Sequence, residues 1–293
     1  MTTLGYVGLG LMGLPMTRRL LSAGRTVHVW NRTAAKMEPA VADGAIAAAS
    51  AAEVARHADI VCQCLTDTAA VEAAVFGPDG IAEGGAPGKV LVDFSSMSPA
   101  TTREFSARLK AESGMGWVDA PVSGGTPGAV EGTLAVMAGG EPADVEAVRE
   151  TVLLMAARFT HMGPSGAGQT AKLCNQVIVG CAMTVLAEAT RLAEDAGIDA
   201  ERLPEALKGG FADSIPLQLF VPRMVKGEHD PPLGYAYTML KDLDEVLALA
   251  KRTGTALPFS ASAAEAFRAL VARNGPEADA LKIYALSGRQ RLD

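Results

Sequence analysis

The chain has 293 residues, 49% of them hydrophobic and only 5% aromatic, with a formal net charge of −7. That length buries a sizeable core and suits two domains, and the composition is that of an ordinary cytoplasmic α/β or α-rich protein. The acidic balance excludes a nucleic-acid surface, because phosphate binding needs a basic face.

The opening residues, Met-Thr-Thr-Leu, carry neither the basic nor the apolar segment of a signal peptide. The longest apolar run, residues 177–187, ends at Glu188 and is too short to span a bilayer, so no membrane partner is expected. Cys62, Cys64, Cys174 and Cys181 have neither zinc nor redox spacing, and the four His are scattered. The cysteines read as small buried hydrophobes, which excludes a metal site and fits a reducing cytoplasm.

Leu4-Gly-Tyr-Val7 predicts a short strand that runs straight into Gly8-Leu-Gly10-Leu11-Met12-Gly13. Residues 12–23 then have apolar side chains at helical spacing, with Pro15 in the first turn and Gly24 as a stop. Residues 26–30 form a second strand. In this strand–glycine loop–helix setting Gly8 allows the tight turn, Gly10 lets backbone approach a pyrophosphate, and Gly13 lets helix and strand pack closely. The helix N-terminus offers free N–H groups to phosphates. The second strand ends in Asn31-Arg32-Thr33, where an acidic residue would select NAD. Arg32 can instead pair with a 2′-phosphate and Asn31 and Thr33 can donate to it, so NADP is expected over NAD, which stays possible.

The alternation continues with strands at 60–65, 89–93, 117–120 and 133–138 and helices at 69–76 and 100–113. Such alternation predicts a mostly parallel sheet whose ligands lie beyond the carboxyl ends of the strands. The loops at 8–13, 65–68 (with Leu65 and Thr66), 95–99 and 121–128 therefore surround one crevice. The last, with Ser123-Gly124-Gly125, is rich in backbone N–H groups that suit a carboxylate, although it serves equally as a tight connection.

Beyond residue 163 there is no strand pattern. A helix over 169–196 stops at Gly197 and would be roughly 40 Å long, enough to join two domains or to form the core of a homodimer or homotetramer. Helices at 200–207, 216–225, 240–253 and 261–273 follow. The expected organisation is thus a Rossmann-type α/β domain over 1–163 and an all-helical domain over 164–293. On the long helix Lys172, Asn175 and Gln176 stand at i, i+3 and i+4 and share a face. The helix is too apolar to be fully solvated, so this polar face is expected to shelter in a crevice. Lys241-Asp242 is a second polar pair at the start of a later helix.

Over its whole length the sequence resembles the β-hydroxyacid dehydrogenase family, which contains 3-hydroxyisobutyrate dehydrogenase and tartronate semialdehyde reductase and has a 6-phosphogluconate dehydrogenase-like fold. The resemblance rests on Gly8-Leu-Gly-Leu-Met-Gly13, Asp93-Phe-Ser-Ser96-Met-Ser-Pro99, Asp119-Ala-Pro-Val-Ser123-Gly124-Gly125, Gly166-Ala-Gly-Gln-Thr-Ala-Lys172 and Lys241-Asp242-Leu243. It implies that Lys172 is the acid/base, that Asn175 orients the substrate, that Ser123 and Gly124, with Gly125, bind a small carboxylate, and that Gln176 is a further substrate-binding residue. It also implies that Ser96 contacts the cofactor and that Lys241 sits at its nicotinamide end. Gln176 is closer to the tartronate semialdehyde reductase pattern than to members with Asn there. The family's aromatic residue before Lys-Asp-Leu aligns with either Tyr235 or Tyr237.

A free Lys, with a pKa near 10.4, is too basic for proton transfer near neutrality, and burial beside another positive charge such as Lys241 would lower it. The expected function is NAD(P)-dependent interconversion of a short 3-hydroxy acid and its semialdehyde. An imine reductase shares the architecture but lacks a Lys at position 172. A non-catalytic cofactor-binding protein would not need both an intact glycine loop and Lys172.

Overall fold

Alternate residues along each early strand point to opposite faces, and both faces are apolar. In the computed structural model, which describes residues 2–287, nine strands form one sheet. They are β1 (Leu4–Val7), β2 (Val27–Trp30), β3 (Ile46–Ala47), β4 (Ile60–Gln63), β5 (Val90–Asp93), β6 (Gly116–Asp119), β7 (Val122–Ser123), β8 (Leu134–Gly139) and β9 (Ala156–Gly163). The order β3-β2-β1-β4-β5-β6 is parallel throughout. β8 then runs antiparallel to β6 and β7, and β9 is parallel to β8.

Tyr6, Cys62, Val92 and Val118 belong to one core, with Met16 and Leu20 of the helix Gly13–Ser22 and Val145, Val148 and Val152 of the helix Pro142–Leu153. Val7, Val61, Leu91 and Trp117 face the other way, onto helices Ala51–His57, Thr68–Phe76 and Pro99–Ser113. The result is a doubly wound, three-layer unit whose chain order reverses between β1 and β4.

The expected strands and helices of this half are present, with their ends displaced by one or two residues. Several elements lay outside the expectation: the short strands β3 and β7, the strand β9, the helices Glu38–Ala42, Ala51–His57, Ile81–Gly84 and Pro142–Leu153, and a seven-residue helix, Gly125–Glu131, that takes up most of the supposed loop at 121–128.

The chain forms two compact units, Met1–Lys172 and Leu173–Asp293, divided within the long helix Ala167–Asp195. The first turn of that helix is bonded to the sheet unit. Later positions, Met183 and Ala187, enter a separate core with Phe220, Met224, Met239, Leu243, Phe267 and Leu270. This core is built from helices Ile215–Lys226, Ala236–Thr253 and Pro258–Asn274. Among the described residues no strand follows Gly163. At 29 residues the long helix is extended and apolar enough, by length and composition, to cross a membrane, well beyond the run at 177–187. Its first turn is tied to the sheet unit by buried hydrogen bonds, described below.

Two expectations are corrected. The helix expected from residue 240 begins at Ala236, because Ala236 and Met239 are buried and the Ala236 amide donates to the Ala278 carbonyl at 2.8 Å. Lys241-Asp242 therefore lies in the second turn. Cys174 is exposed rather than buried: it falls on the outward stripe of the long helix that carries Ile178 four residues later.

The loop glycines differ in kind. Gly8 adopts φ +93°, and a Cβ at Gly13 would overlap the Gly8 carbonyl oxygen, whereas a Cβ at Gly10 would meet nothing within 4 Å. Gly13→Ala is expected to cost about 1–3 kcal/mol of stability through this overlap. Gly10→Ala is expected to stay within about 0.5 kcal/mol of wild type in the same urea titration.

Candidate active site

At the carboxyl end of β1 the glycine loop is braced from β2. The Gly8 amide donates to the Trp30 carbonyl and the Leu9 amide to Asn31 Oδ1, both at 3.0 Å. Asn31 Nδ2 in turn donates to the Thr33 carbonyl at 3.0 Å. Asn31 thus holds the loop against the end of β2, and Arg32 and Thr33 beside it are exposed. Gly10 and Leu11 are exposed, Leu11 at 78%, and Met12 is half-buried just before the helix that starts at Gly13. Open backbone at Gly10, a helix N-terminus directly after it, and a guanidinium at the neighbouring strand end form a donor set that fits a dinucleotide diphosphate and ribose.

The next strand ends complete this rim. After β4 the half-buried Leu65 donates its amide to Ser95 Oγ at 2.9 Å, and the exposed Thr66 donates its hydroxyl to Asp67 Oδ2 at 2.9 Å. Asp67 caps the helix Thr68–Phe76, and its carboxyl is held below the usual range by the Ala70 amide, by Thr66 and, more weakly, by the charge of Arg32. Ser96, half-buried, follows Ser95.

Behind the rim runs a polar row that sequence reasoning did not isolate. Gln63, Asp93 and Asp119 occupy paired positions at the carboxyl ends of β4, β5 and β6, and none is exposed. Burial raises the Asp93 carboxyl to about 7, offset in part by hydrogen bonds from Ser95. Burial raises Asp119 to about 6, offset by backbone amides at the head of the long helix. Asp119 Oδ1 accepts from the Gly166 amide at 2.8 Å and Oδ2 from the Gln169 amide at 3.0 Å. A signal was present in the sequence: each of three otherwise apolar strands ends in a polar residue.

One turn beyond Gln169, half-buried Lys172 extends its Nζ to the Val122 carbonyl at 3.0 Å. Val122 precedes Ser123, Gly124 and Gly125. Ser123 is half-buried, and both glycines are exposed with left-handed backbone, φ +128° and +60°. The structure therefore brings Lys172 to the segment Ser123–Gly125, on the sheet unit's own framework.

In the helical unit the remaining nominated residues form one chain of contacts. Asn175 Nδ2 donates to Gln176 Oε1 at 2.9 Å, Gln176 Nε2 donates to Asp242 Oδ2 at 2.7 Å, and Lys241 Nζ lies 3.4 Å from Asp242 Oδ1. Gln176 is buried with both ends of its amide engaged, so it stands behind the half-buried Asn175 and holds it. Tyr235 and Tyr237 are both exposed, Tyr235 at the N-cap of the helix Ala236–Thr253. Among the described residues no group of three His, Cys, Asp or Glu side chains is placed to hold a metal ion.

Residues 3–163 match the family model described as the NAD binding domain of 6-phosphogluconate dehydrogenase. Residues 166–287 match that described as the NAD-binding domain of NADP-dependent 3-hydroxyisobutyrate dehydrogenase. The chain is 38% identical to 2-hydroxy-3-oxopropionate reductase of Escherichia coli over 94% of each chain. It is 33% identical to an NAD-dependent L-serine dehydrogenase of Pseudomonas aeruginosa over 95% of each. Among solved structures it superposes on a Mycobacterium tuberculosis 3-hydroxyisobutyrate dehydrogenase with L-serine, with a TM-score of 0.87 and 29% identity over 98% of this chain and 99% of that one. A dinucleotide loop at the switch point of a doubly wound sheet, a lysine at the head of the helix that follows, and full-length relatives that act on hydroxy acids together place the chain in the β-hydroxyacid dehydrogenase family, as an NAD(P)-dependent 3-hydroxyacid dehydrogenase.

Proposed function

We propose that the enzyme interconverts a short 3-hydroxy acid and its semialdehyde, with NADP(H) preferred and Lys172 as general acid/base. The observation that carries this reading is the hydrogen bond from Lys172 Nζ to the Val122 carbonyl, 3.0 Å, beside Ser123-Gly124-Gly125. The hydride would come from, or go to, a bound nicotinamide. In reduction the aldehyde carbon gains that hydride and its oxygen gains the proton of the Lys172 ammonium; in oxidation neutral Lys172 takes the hydroxyl proton. Before transfer the ammonium polarises the carbonyl. The Ser123 hydroxyl and the amides at Gly124 and Gly125 take the substrate carboxylate, since successive amides in left-handed backbone converge on an anion. Asn175, three residues from Lys172 on the same helix, orients the substrate while Gln176 fixes its rotamer through Asp242.

As substrates we favour tartronate semialdehyde and its product glycerate, or 3-hydroxyisobutyrate. The presence of Gln176 and the 38% identity to the 2-hydroxy-3-oxopropionate reductase support the first. The NADP preference is supported by exposed Arg32 and Thr33 at the end of β2, with no acidic residue there. We also propose a homodimer or homotetramer. Ile178, Val185 and Leu192, exposed at 69%, 59% and 71%, recur every seven residues along one stripe of the long helix, and a continuous apolar stripe of this kind favours a partner helix.

Lys172→Ala is expected to lower kcat for semialdehyde reduction by about 10²–10⁴-fold, followed by NADPH absorbance, with the thermal melt retained; turnover near wild type on the best substrate would overturn the assignment. Arg32→Ala should weaken NADP binding by about tenfold to a hundredfold, the worth of a charge-assisted contact. NAD binding should change little, and equal losses for the two cofactors would show that Arg32 does not read the 2′-phosphate. Light scattering should give the mass of a dimer or tetramer for the wild type and a smaller species for Val185→Glu. A monomeric wild type would remove the proposed role of the stripe.

A further inference from the structure

Gln169 stands three residues before Lys172, in the first turn of the long helix, and is 1% exposed. Its side chain does not serve its own helix. Nε2 donates to the Ser95 carbonyl at 2.7 Å and Oε1 accepts from the Met97 amide at 3.2 Å. One amide thus clamps the backbone on both sides of Ser96, the residue the resemblance assigns to the cofactor. The same segment is fixed from its other side, where Ser95 Oγ accepts from the Leu65 amide and the Ser95 amide donates to Asp93 Oδ1 at 3.0 Å. Gln169's own amide is held by Asp119 Oδ2, which fixes the turn from which Lys172 reaches Val122.

We propose that Gln169 is a positioning residue for hydride transfer: it sets the Ser96 segment, on the cofactor side, at a fixed offset from Lys172, on the proton side. The inference rests on the acid/base reading of Lys172. Reducing an aldehyde needs hydride at carbon and a proton at oxygen, two atoms of one bond, so the two suppliers must hold a common register. Only an uncharged amide of this length offers a donor to Ser95 O and an acceptor to Met97 N at once. A carboxylate accepts at both ends, and an apolar isostere leaves two buried backbone groups unpaired. Because the clamp touches neither diphosphate nor carboxylate sites, its loss should appear in the chemical step rather than in binding.

The test compares Gln169→Met, Gln169→Glu and Gln169→Asn in the full-length enzyme. Three quantities are read: kcat, the Kd of NADPH without substrate, and the primary deuterium isotope effect with NADPH deuterated at the transferred position. A loss of register should lower kcat by about ten- to a hundredfold, with the NADPH Kd within about threefold of wild type and a larger isotope effect as hydride transfer becomes rate-limiting. A merely structural role would lower the melting temperature and leave kcat and the isotope effect of the folded fraction as in wild type. That result in any folded variant overturns the proposal, as does a loss confined to NADPH affinity. If none of the three folds, Gln169 is a folding residue and the proposal also fails. Failure of the underlying reading looks different: Lys172→Ala would then retain turnover whatever the Gln169 variants do.

Discussion

The head of the long helix depends on a carboxylate that belongs to another element. Asp119 closes β6 and takes two amides of the turn around Gly166 and Gln169, one on each oxygen, so the first turn of the helix is fixed on the sheet unit. Negative charge at a helix N-terminus is favourable, and two charge-assisted hydrogen bonds offset much of the cost of burying it. The approach is so close that a Cβ at Gly139 or Gly168 would run into the same carboxylate. Everything that gives Lys172 a direction follows from this anchor, including its reach to Val122, three residues beyond Asp119 in sequence.

The anchor also explains why a sheet so apolar tolerates polar strand ends. Gln63, Asp93 and Asp119 lie side by side in the layer where strands give way to ligand-facing loops. Asp93 at about 7 and Asp119 at about 6 both bind protons more tightly when folded than when unfolded. Their contribution to stability is therefore greatest below the ordinary carboxylate pKa and falls as pH rises through the folded values. Such a row is a poor device for stability at neutral pH. It is a good one for fixing loops, since Asp93 holds Ser95, and Ser95 holds Leu65 and is held by Gln169.

Local sequence carried much of the fold and of the site, and the limits were physical. Apolar strands bounded by glycine, proline and aspartate announced β1, β2, β4, β5 and β6, and the glycine loop announced its own helix, because these signals depend on neighbours in sequence. The helix Gly125–Glu131 was hidden because Gly-Gly-Thr-Pro-Gly is turn composition; buried Gly128 and Ala129 and the left-handed Gly132 shape it through tertiary packing. Lys172 and Asn175 were legible from helical spacing. Gln169 was not, since its partners lie more than seventy residues away. Cys174 was misread because burial of a helix residue depends on which stripe meets the core, and that stripe is set by partners distant in sequence.

The residues around Lys172 and those at the end of β2 occupy different kinds of surface. Lys172, Asp119, Gln169 and Ser95 are tied by hydrogen bonds into largely buried backbone, so a change at one propagates to the others. Arg32 and Thr33 are exposed at the end of β2, and the residue that braces the glycine loop is their neighbour Asn31, whose amide is already engaged with Leu9 and Thr33 backbone. A substitution at Arg32 therefore alters charge at the exposed end of β2 without disturbing the loop, while one at Asn31 removes the brace itself. The exposed pair bears little on the fold, whereas the hydrogen-bonded network around Lys172 is bound into it.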